Sequence, residues 1–600
     1  SICTTNECLS TAYFLRNLME PNTDPCDNFY NFTCGNYKGD LVLRNLQQSV
    51  DQRVKSLIDG PMQKEDSRSV KLQKRYYQAC MNLTNIEEDQ NETLKKLFEQ
   101  LGNWPVLEGP EWNESRFNWG STVEKCKDLG LYYDWFVNIY APGYENKLSI
   151  DVPDNVNNID SSTRQHYTEL IMSVVKLLGS PKKLTNISKS VNEIIDFELE
   201  LAKLYICYRI QANYIFWKVT ESFSAFLTQS IRKKFEAYSD NLEEYEYPKD
   251  REEYCYGLTS TVFAYVSESE FVRQFITERN AVKAMVERIK FVLYNHIGRA
   301  KWMSQSDKSL AYFKLKNVRV VIGGPDEMYD KYGFDNFLGI DQNDGSMTLF
   351  QISLFHLDNT IDIIREVDRS RDLYNLDFVK PRLTVDQAKF YQATVHLALI
   401  KYLPDENVMF LPAATLQGHL FSLNRPNYLN YGALGSVIGH ELAHGFGLLG
   451  NVVVENGEEK VLWTNFTHDN FLIVSQCLLH NCNNIGIENN IRMNCNRTFE
   501  ESFADYIGIN LAYEAYIQLE QERGDEKKLP GFPYSPTQFF WITYTSIMCN
   551  NLVVNNTESF THMLPFHRIV GAFRNSEYFA QDFKCPVGTN MNPVEKCFIL

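Results

Sequence analysis

The 600-residue chain has no stretch approaching the roughly 18 consecutive apolar residues that a membrane-spanning helix requires, which excludes a spanning segment within it. It also lacks any Lys/Arg-rich run of five or more. With 59 basic against 76 acidic residues the formal charge is −17, so the electrostatic footprint of a nucleic-acid or anionic-membrane binder is missing. Internal repeats and low-complexity tracts are absent, and the sequence opens without Met, a basic n-region or an apolar h-region. The opening Ser1-Ile2-Cys3 reads as that of a mature chain or a clipped ectodomain.

What is present is enough for two or more compact lobes, with 44% hydrophobic and 22% charged residues. The 14 cysteines run from Cys3 to Cys597 rather than gathering in one cluster. They are accompanied by eight N-x-S/T sequons, at Asn31, Asn82, Asn91, Asn113, Asn186, Asn465, Asn496 and Asn555. Both features point to an oxidising, secretory route, with up to seven disulfides and surface glycans.

Apolar residues recur at three- and four-residue spacing over Ser161–Leu178, Val191–Arg209, Ala281–Ala300 and Thr498–Glu520, which predicts a mainly α-helical protein. Short alternating runs at Lys314–Ile322 and Asn407–Leu411 read as strands, one of which is expected along a cleft where an extended ligand could pair. Breaks at Gly102–Trp112, Asn241–Tyr254, Val321–Gly333 and Gln521–Pro536 are surface loops or domain linkers.

The informative stretch is Ser436-Val437-Ile438-Gly439-His440-Glu441-Leu442-Ala443-His444-Gly445, a His-Glu-x-x-His pattern on an apolar helix. Residues four apart share a helix face, so His440 and His444 can each offer a ring nitrogen to one tetrahedral Zn²⁺. Zinc lowers the pKa of a coordinated water to about 7, and the Glu441 carboxylate is placed to take its proton. That is the chemistry of peptide or amide hydrolysis. A third ligand is needed, and Thr498-Phe499-Glu500-Glu501-Ser502-Phe503-Ala504-Asp505 opens a helix with Glu501 57 residues beyond His444. Of Glu501 and Asp505, one can ligate the metal while the other orients a ligand histidine. The bland reading of Glu500 and Glu501 is a pair of charges favoured at a helix N-terminus, with Thr498 as its cap.

These motifs resemble the neprilysin/endothelin-converting-enzyme family of zinc metallopeptidases along the whole chain. They include Asp24–Tyr30 with Cys34-Gly35-Asn36-Tyr37, Val437–Phe446, Glu501-x-x-x-Asp505, Phe573–Phe583 with Cys585, and Met591-Asn592-Pro593 before Cys597. The resemblance implies one Zn²⁺ held by His440, His444 and Glu501, with Glu441 as general base and Asp505 behind the ligands. It further implies that His562 stabilises the oxyanion and that Arg568 binds a substrate backbone carbonyl. For the cysteines it implies Cys3–Cys8, Cys26–Cys585, Cys34–Cys549, Cys80–Cys255 and Cys477–Cys597. Cys126–Cys207 and Cys482–Cys495 would complete seven bridges, while Cys477-x-x-His480-x-Cys482 with Cys495 has an alternative reading as a zinc knuckle. His166, His296, His356, His396, His419 and His468 stand alone as structural or exposed residues.

The chain departs from the family pattern in four places. Gly447 stands where the family has an aspartate three residues after the second histidine, and Leu399-Ile400-Lys401-Tyr402 matches a substrate-gripping Asn-Ala-x-Tyr segment without its Asn and Ala. The chain ends Cys597-Phe598-Ile599-Leu600 instead of near a Trp, and its middle is shorter than usual. The fold implied is mainly α, with two multiply connected helical lobes around a central cavity and a thermolysin-like catalytic core carrying a short β element. Residues 1–45 and 375–600 form the catalytic lobe and 46–374 the lobe over the cleft. The expected function is an extracellular zinc endopeptidase, secreted or the ectodomain of a type II membrane protein, cutting oligopeptides on the amino side of hydrophobic residues. A zinc-retaining protein that captures peptides or proteins with little turnover is the alternative.

Overall fold

The computed structural model describes residues 1–39, 42–128, 138–140, 149–151, 161–179, 187–199, 208–240, 250–330, 399–404, 407–448, 450, 452–455, 458–461, 463–485, 494–550 and 564–599. Two compact units emerge: Ser1–Val54 with Glu268–Tyr329 and Phe390–Leu600, and Lys55–Ser267 with Asp330–Lys389. Both are predominantly helical.

The first unit contains α1 (Asn6–Leu18), α2 (Phe29–Cys34), α3 (Ile276–Arg299), α4 (Gln305–Lys316), β1 (Arg319–Gly323), β2 (Lys401–Leu403) and β3 (Val408–Pro412). Then follow α5 (Ser436–His444), α6 (Asn465–Asn484), α7 (Phe499–Arg523), α8 (Pro536–Ile547), α9 (Pro565–Phe573) and α10 (Glu577–Phe583). The sequence division leaves 268–329 in the other lobe, whereas here it belongs with the first unit. The reason is α3, whose Arg288 and His296 reach Glu522 and Glu514 on α7 at 2.7 and 2.8 Å. The chain ends are joined by Cys26–Cys585 and Cys34–Cys549, spanning 559 and 515 residues. Around these staples Phe29, Phe573, Phe579 and Trp541 interlock with ring centroids 4.8–5.5 Å apart.

The sheet beside α5 has the order β1-β3-β2, with β1 parallel and β2 antiparallel to β3. The strand expected over Lys314–Ile322 begins only at Arg319, because Lys314–Lys316 close α4 and the Asn317 N–H caps that helix on Phe313 and Lys314 carbonyls. The run over Asn407–Leu411 is the central strand β3, paired on both sides and buried throughout. It therefore has no free edge for a ligand. Among the described residues, the strand at the sheet edge nearer α5 is β2.

In the second unit, helices Glu92–Leu101, Ser161–Leu177, Ile187–Leu199, Tyr208–Ser222 and Gln229–Ser239 pack around Trp104, Phe216 and Trp217. The helix expected over Val191–Arg209 is represented by the third and fourth of these, and the residues joining them lie outside the described ones. Asn91 is buried, with its amide bonded to the Thr228 hydroxyl and N–H, so this sequon is poorly placed to carry a glycan. Six disulfides match the expected pairs, among them Cys80–Cys255, Cys477–Cys597 and Cys482–Cys495. The last two rule out the zinc knuckle. Cys126 is buried, and Cys207, its expected partner, lies outside the described residues.

The approach of α5 to α7 sets the position of everything that follows. A Cβ on Gly439 would stand 2.3 Å from the Gly508 carbonyl oxygen, and one on Gly508 would stand 2.3 Å from the His440 nitrogen. Glycine at both positions lets two backbones touch. Gly439→Ala is expected to cost about 1–3 kcal/mol by forcing the helices apart. Gly257→Ala, in a helix where an added Cβ meets nothing within 4 Å, is expected to be neutral or stabilising. Thermal melting of the two variants tests this, and an unchanged midpoint for Gly439→Ala would contradict the crossing.

Candidate metal centre

A single helical rod, Asn427–His444, runs through a π turn at Tyr431–Gly435 into α5. Four residues apart on its last turn, His440 and His444 point their Nε2 atoms at each other, 3.0 Å apart, with the rings nearly perpendicular at 88°. The glycine crossing brings the first turn of α7 alongside. Glu501 reaches both rings, with Oε2 3.2 Å from His440 Nε2 and Oε1 3.5 Å from His444 Nε2.

Three donor atoms of the kinds zinc prefers thus converge, and among the described residues this is the one group of its type. Tetrahedral zinc, with bonds of about 2.0–2.1 Å, holds its ligand atoms about 3.3 Å apart. The observed separations of 3.0, 3.2 and 3.5 Å bracket that value, so the residues fit the ion.

Behind the donors sits a buried chain of charge. His440 Nδ1 lies 2.9 Å from Asp505 Oδ1, off the line of an ideal hydrogen bond. Arg568 holds the same carboxylate through Nε at 2.8 Å and Nη2 at 2.6 Å, and the Tyr544 hydroxyl adds a third donor at 3.2 Å. Burial alone would raise the Asp505 carboxyl, but the Arg568 guanidinium, with His440, holds it down at about 2. Burial would lower the His440 imidazole, yet bonding to Asp505 and Glu501 outweighs it and raises the ring to about 9. A carboxylate on the far nitrogen of a ligand histidine fixes which nitrogen faces the metal.

Glu441, partly buried, faces the sheet rather than α7. Its Oε2 accepts the Tyr402 backbone N–H from β2 at 2.8 Å. Burial raises its carboxyl, and the neighbouring His440 and His444, with that N–H, act in the opposite direction. Tyr402 itself is anchored by its hydroxyl, 2.7 Å from Asn407 Oδ1.

His440, Glu441, His444, Glu501, Asp505 and Arg568 are therefore brought together from α5, α7 and α9. His562 lies outside the described residues. Arg568, expected to meet substrate, spends two nitrogens on Asp505. Thr498 occupies the cap position of α7 without capping it, since its hydroxyl donates to the Asn494 carbonyl at 3.1 Å. Sequence reading missed the Tyr402 N–H and Tyr544; the only hint was that Tyr402 falls in the altered Asn-Ala-x-Tyr segment.

Two histidines and a carboxylate around one metal position, with a second carboxylate beside them, define a metallopeptidase-type site. Residues 401–599 match peptidase family M13, and residues 25–209 and 207–325 match the N-terminal part of that family. The chain belongs to peptidase family M13. It is 25% identical to neprilysin-2 of Drosophila melanogaster over 99% of this chain and 89% of that protein. With endothelin-converting enzyme 1 of Rattus norvegicus it shares 23% identity, over 99% and 88%. The fold is similar to the open state of the zinc metalloprotease Zmp1 of Mycobacterium tuberculosis, with a TM-score of 0.72 at 15% identity, covering 95% of this chain and 98% of that one.

The raised His440 has consequences of definite sign. Without metal, the protonated ring contributes stability that is fully present below its ordinary 6.5 and lost as pH rises through about 9. Asp505 works the other way, its contribution present above 3.8 and lost as pH falls towards about 2. Because ligation needs a neutral imidazole, zinc binding at pH 7.5 is expected to release about one proton. Calorimetry in buffers of different ionisation heat reads that number, and a value near zero would contradict it.

Proposed function

We propose that the chain is a zinc-dependent endopeptidase that hydrolyses extracellular oligopeptides, and that the first unit is the catalytic one. The observation that carries this reading is Glu441. Neither the fold nor a metal site requires a carboxylate there, yet its side chain stands beside the three donors with its orientation set by the Tyr402 N–H.

His440, His444 and Glu501 would hold one Zn²⁺, and Asp505 would hold the His440 ring through Nδ1. The chemistry that zinc supplies when bound is that of a Lewis acid, polarising the scissile carbonyl and acidifying a water. Glu441 takes the proton of the attacking water and delivers it to the leaving amine nitrogen. His562 steadies the oxyanion, and Arg568, rigid against Asp505, directs its remaining nitrogen, Nη1, to a substrate carbonyl. The edge of β2 is the place for an extended peptide backbone, close to Glu441. Cleavage falls on the amino side of hydrophobic residues. An extracellular setting is supported by the six disulfides and by the exposed sequons Asn31, Asn82, Asn113, Asn465 and Asn496.

A second reading, a zinc-holding protein that captures peptides without efficient turnover, draws on Leu399. It is 64% exposed just ahead of the β2 edge, where the family pattern has a polar gripping residue.

A mixture of oligopeptides, incubated with the wild type, with Glu441→Gln and with wild type plus a zinc chelator, separates the two. Endopeptidase action predicts cuts, mapped by mass spectrometry, that the chelator abolishes and that Glu441→Gln slows by about 10²–10⁴-fold. A folded, zinc-loaded wild type that makes no cuts would overturn the peptidase reading in favour of capture.

A further inference from the structure

Gly447 sits in the turn after His444, where the neprilysin-type pattern carries an aspartate. Its backbone is not in the left-handed region, so conformation does not call for glycine. What the residue leaves is room. A Cβ there would stand 2.3 Å from Glu500 Oε2 and 3.3 Å from Glu500 Cδ. The other oxygen of that carboxylate, Oε1, accepts the Leu448 backbone N–H at 2.8 Å.

Glu500 therefore places a carboxylate, from the first turn of α7, into the space where a side chain at 447 would begin. It is adjacent in sequence to Glu501, so one helical turn presents both a metal donor and a clamp on the strand of backbone leaving the other two. A little further along the chain, the buried Lys314 of α4 donates its ammonium to the Gly450 carbonyl. The segment leaving α5 thus has one N–H met by a carboxylate and one carbonyl met by an ammonium.

We propose that Glu500 supplies from α7 the carboxylate that position 447 lacks, and so acts as a positioning residue for His444. The inference rests on the zinc reading above. It accounts for the glycine: a carboxylate at 447 and one at 500 would compete for the same space and repel each other.

The test uses the whole chain and reads two quantities, zinc affinity by competition with a chromophoric chelator and the melting midpoint of the metal-free protein. Glu500→Ala and Gly447→Asp are each expected to weaken zinc binding by about 10–100-fold, the range for removing an outer carboxylate that orients a ligand. The double variant Gly447→Asp/Glu500→Ala is expected to recover to within a few-fold of wild type. Glu500→Gln, which keeps the size and the acceptor for Leu448, guards against a variant that fails to fold and is expected to show a smaller but measurable loss. Losses that simply add in the double variant would overturn the exchange of roles. A Glu500→Ala that lowers only the metal-free midpoint while zinc affinity stays unchanged would reduce Glu500 to a structural residue. A wild type that takes up no zinc would sink the zinc reading itself, and this inference with it.

Discussion

The contact on which the site depends is a bare backbone crossing. Gly439 and Gly508 let α5 and α7 approach until a single added methyl group on either would collide with main-chain atoms of the other. Helices normally pack 8–10 Å apart through interleaved side chains. Here the closer approach puts the short Glu501 side chain within 3.5 Å of two imidazoles on the neighbouring helix. Length and direction of the donors are thus fixed by two residues that carry no chemistry.

Such closeness gathers charge in a place with little water. Asp505, only 1% exposed, has its carboxylate met by Arg568 and Tyr544 as well as by the His440 ring. An ion pair of this kind contributes modestly as a whole, but removing one member strands the other, at a cost of several kcal/mol. The arrangement therefore serves orientation more than stability. Glu441 is kept apart from it, turned to the sheet, where one backbone N–H restrains it. Two carboxylates on neighbouring faces, one pulled down by a guanidinium and one pushed up by burial, are suited to different tasks.

Much of this was legible in the sequence because it is local. Spacing of four on one helix pairs His440 with His444, and apolar periodicity marks α3 and α7. The ligand Glu501 and five of the six observed cystine pairs were readable through resemblance to a known pattern, not through spacing, and Cys482–Cys495 through the cysteines left over. Through-space events were not legible. Lys314 reads as a strand residue because its neighbours alternate, yet it closes α4, buried against Gly450. Segment 268–329 joins the first unit through pairs some 220 residues apart in the chain. Gly447 reads in sequence as a missing carboxylate, since a one-dimensional pattern does not show Glu500 entering its space from another helix.

The central claim is that this crossing builds one zinc site from two imidazoles and a carboxylate. X-ray absorption at the zinc edge, on protein loaded with one equivalent of metal, addresses it most directly. The account predicts imidazole scattering from two rings with light-atom bonds of about 2.0–2.1 Å, falling to one ring in His444→Ala. A sulfur shell, or a wild-type spectrum without imidazole scattering, would contradict it.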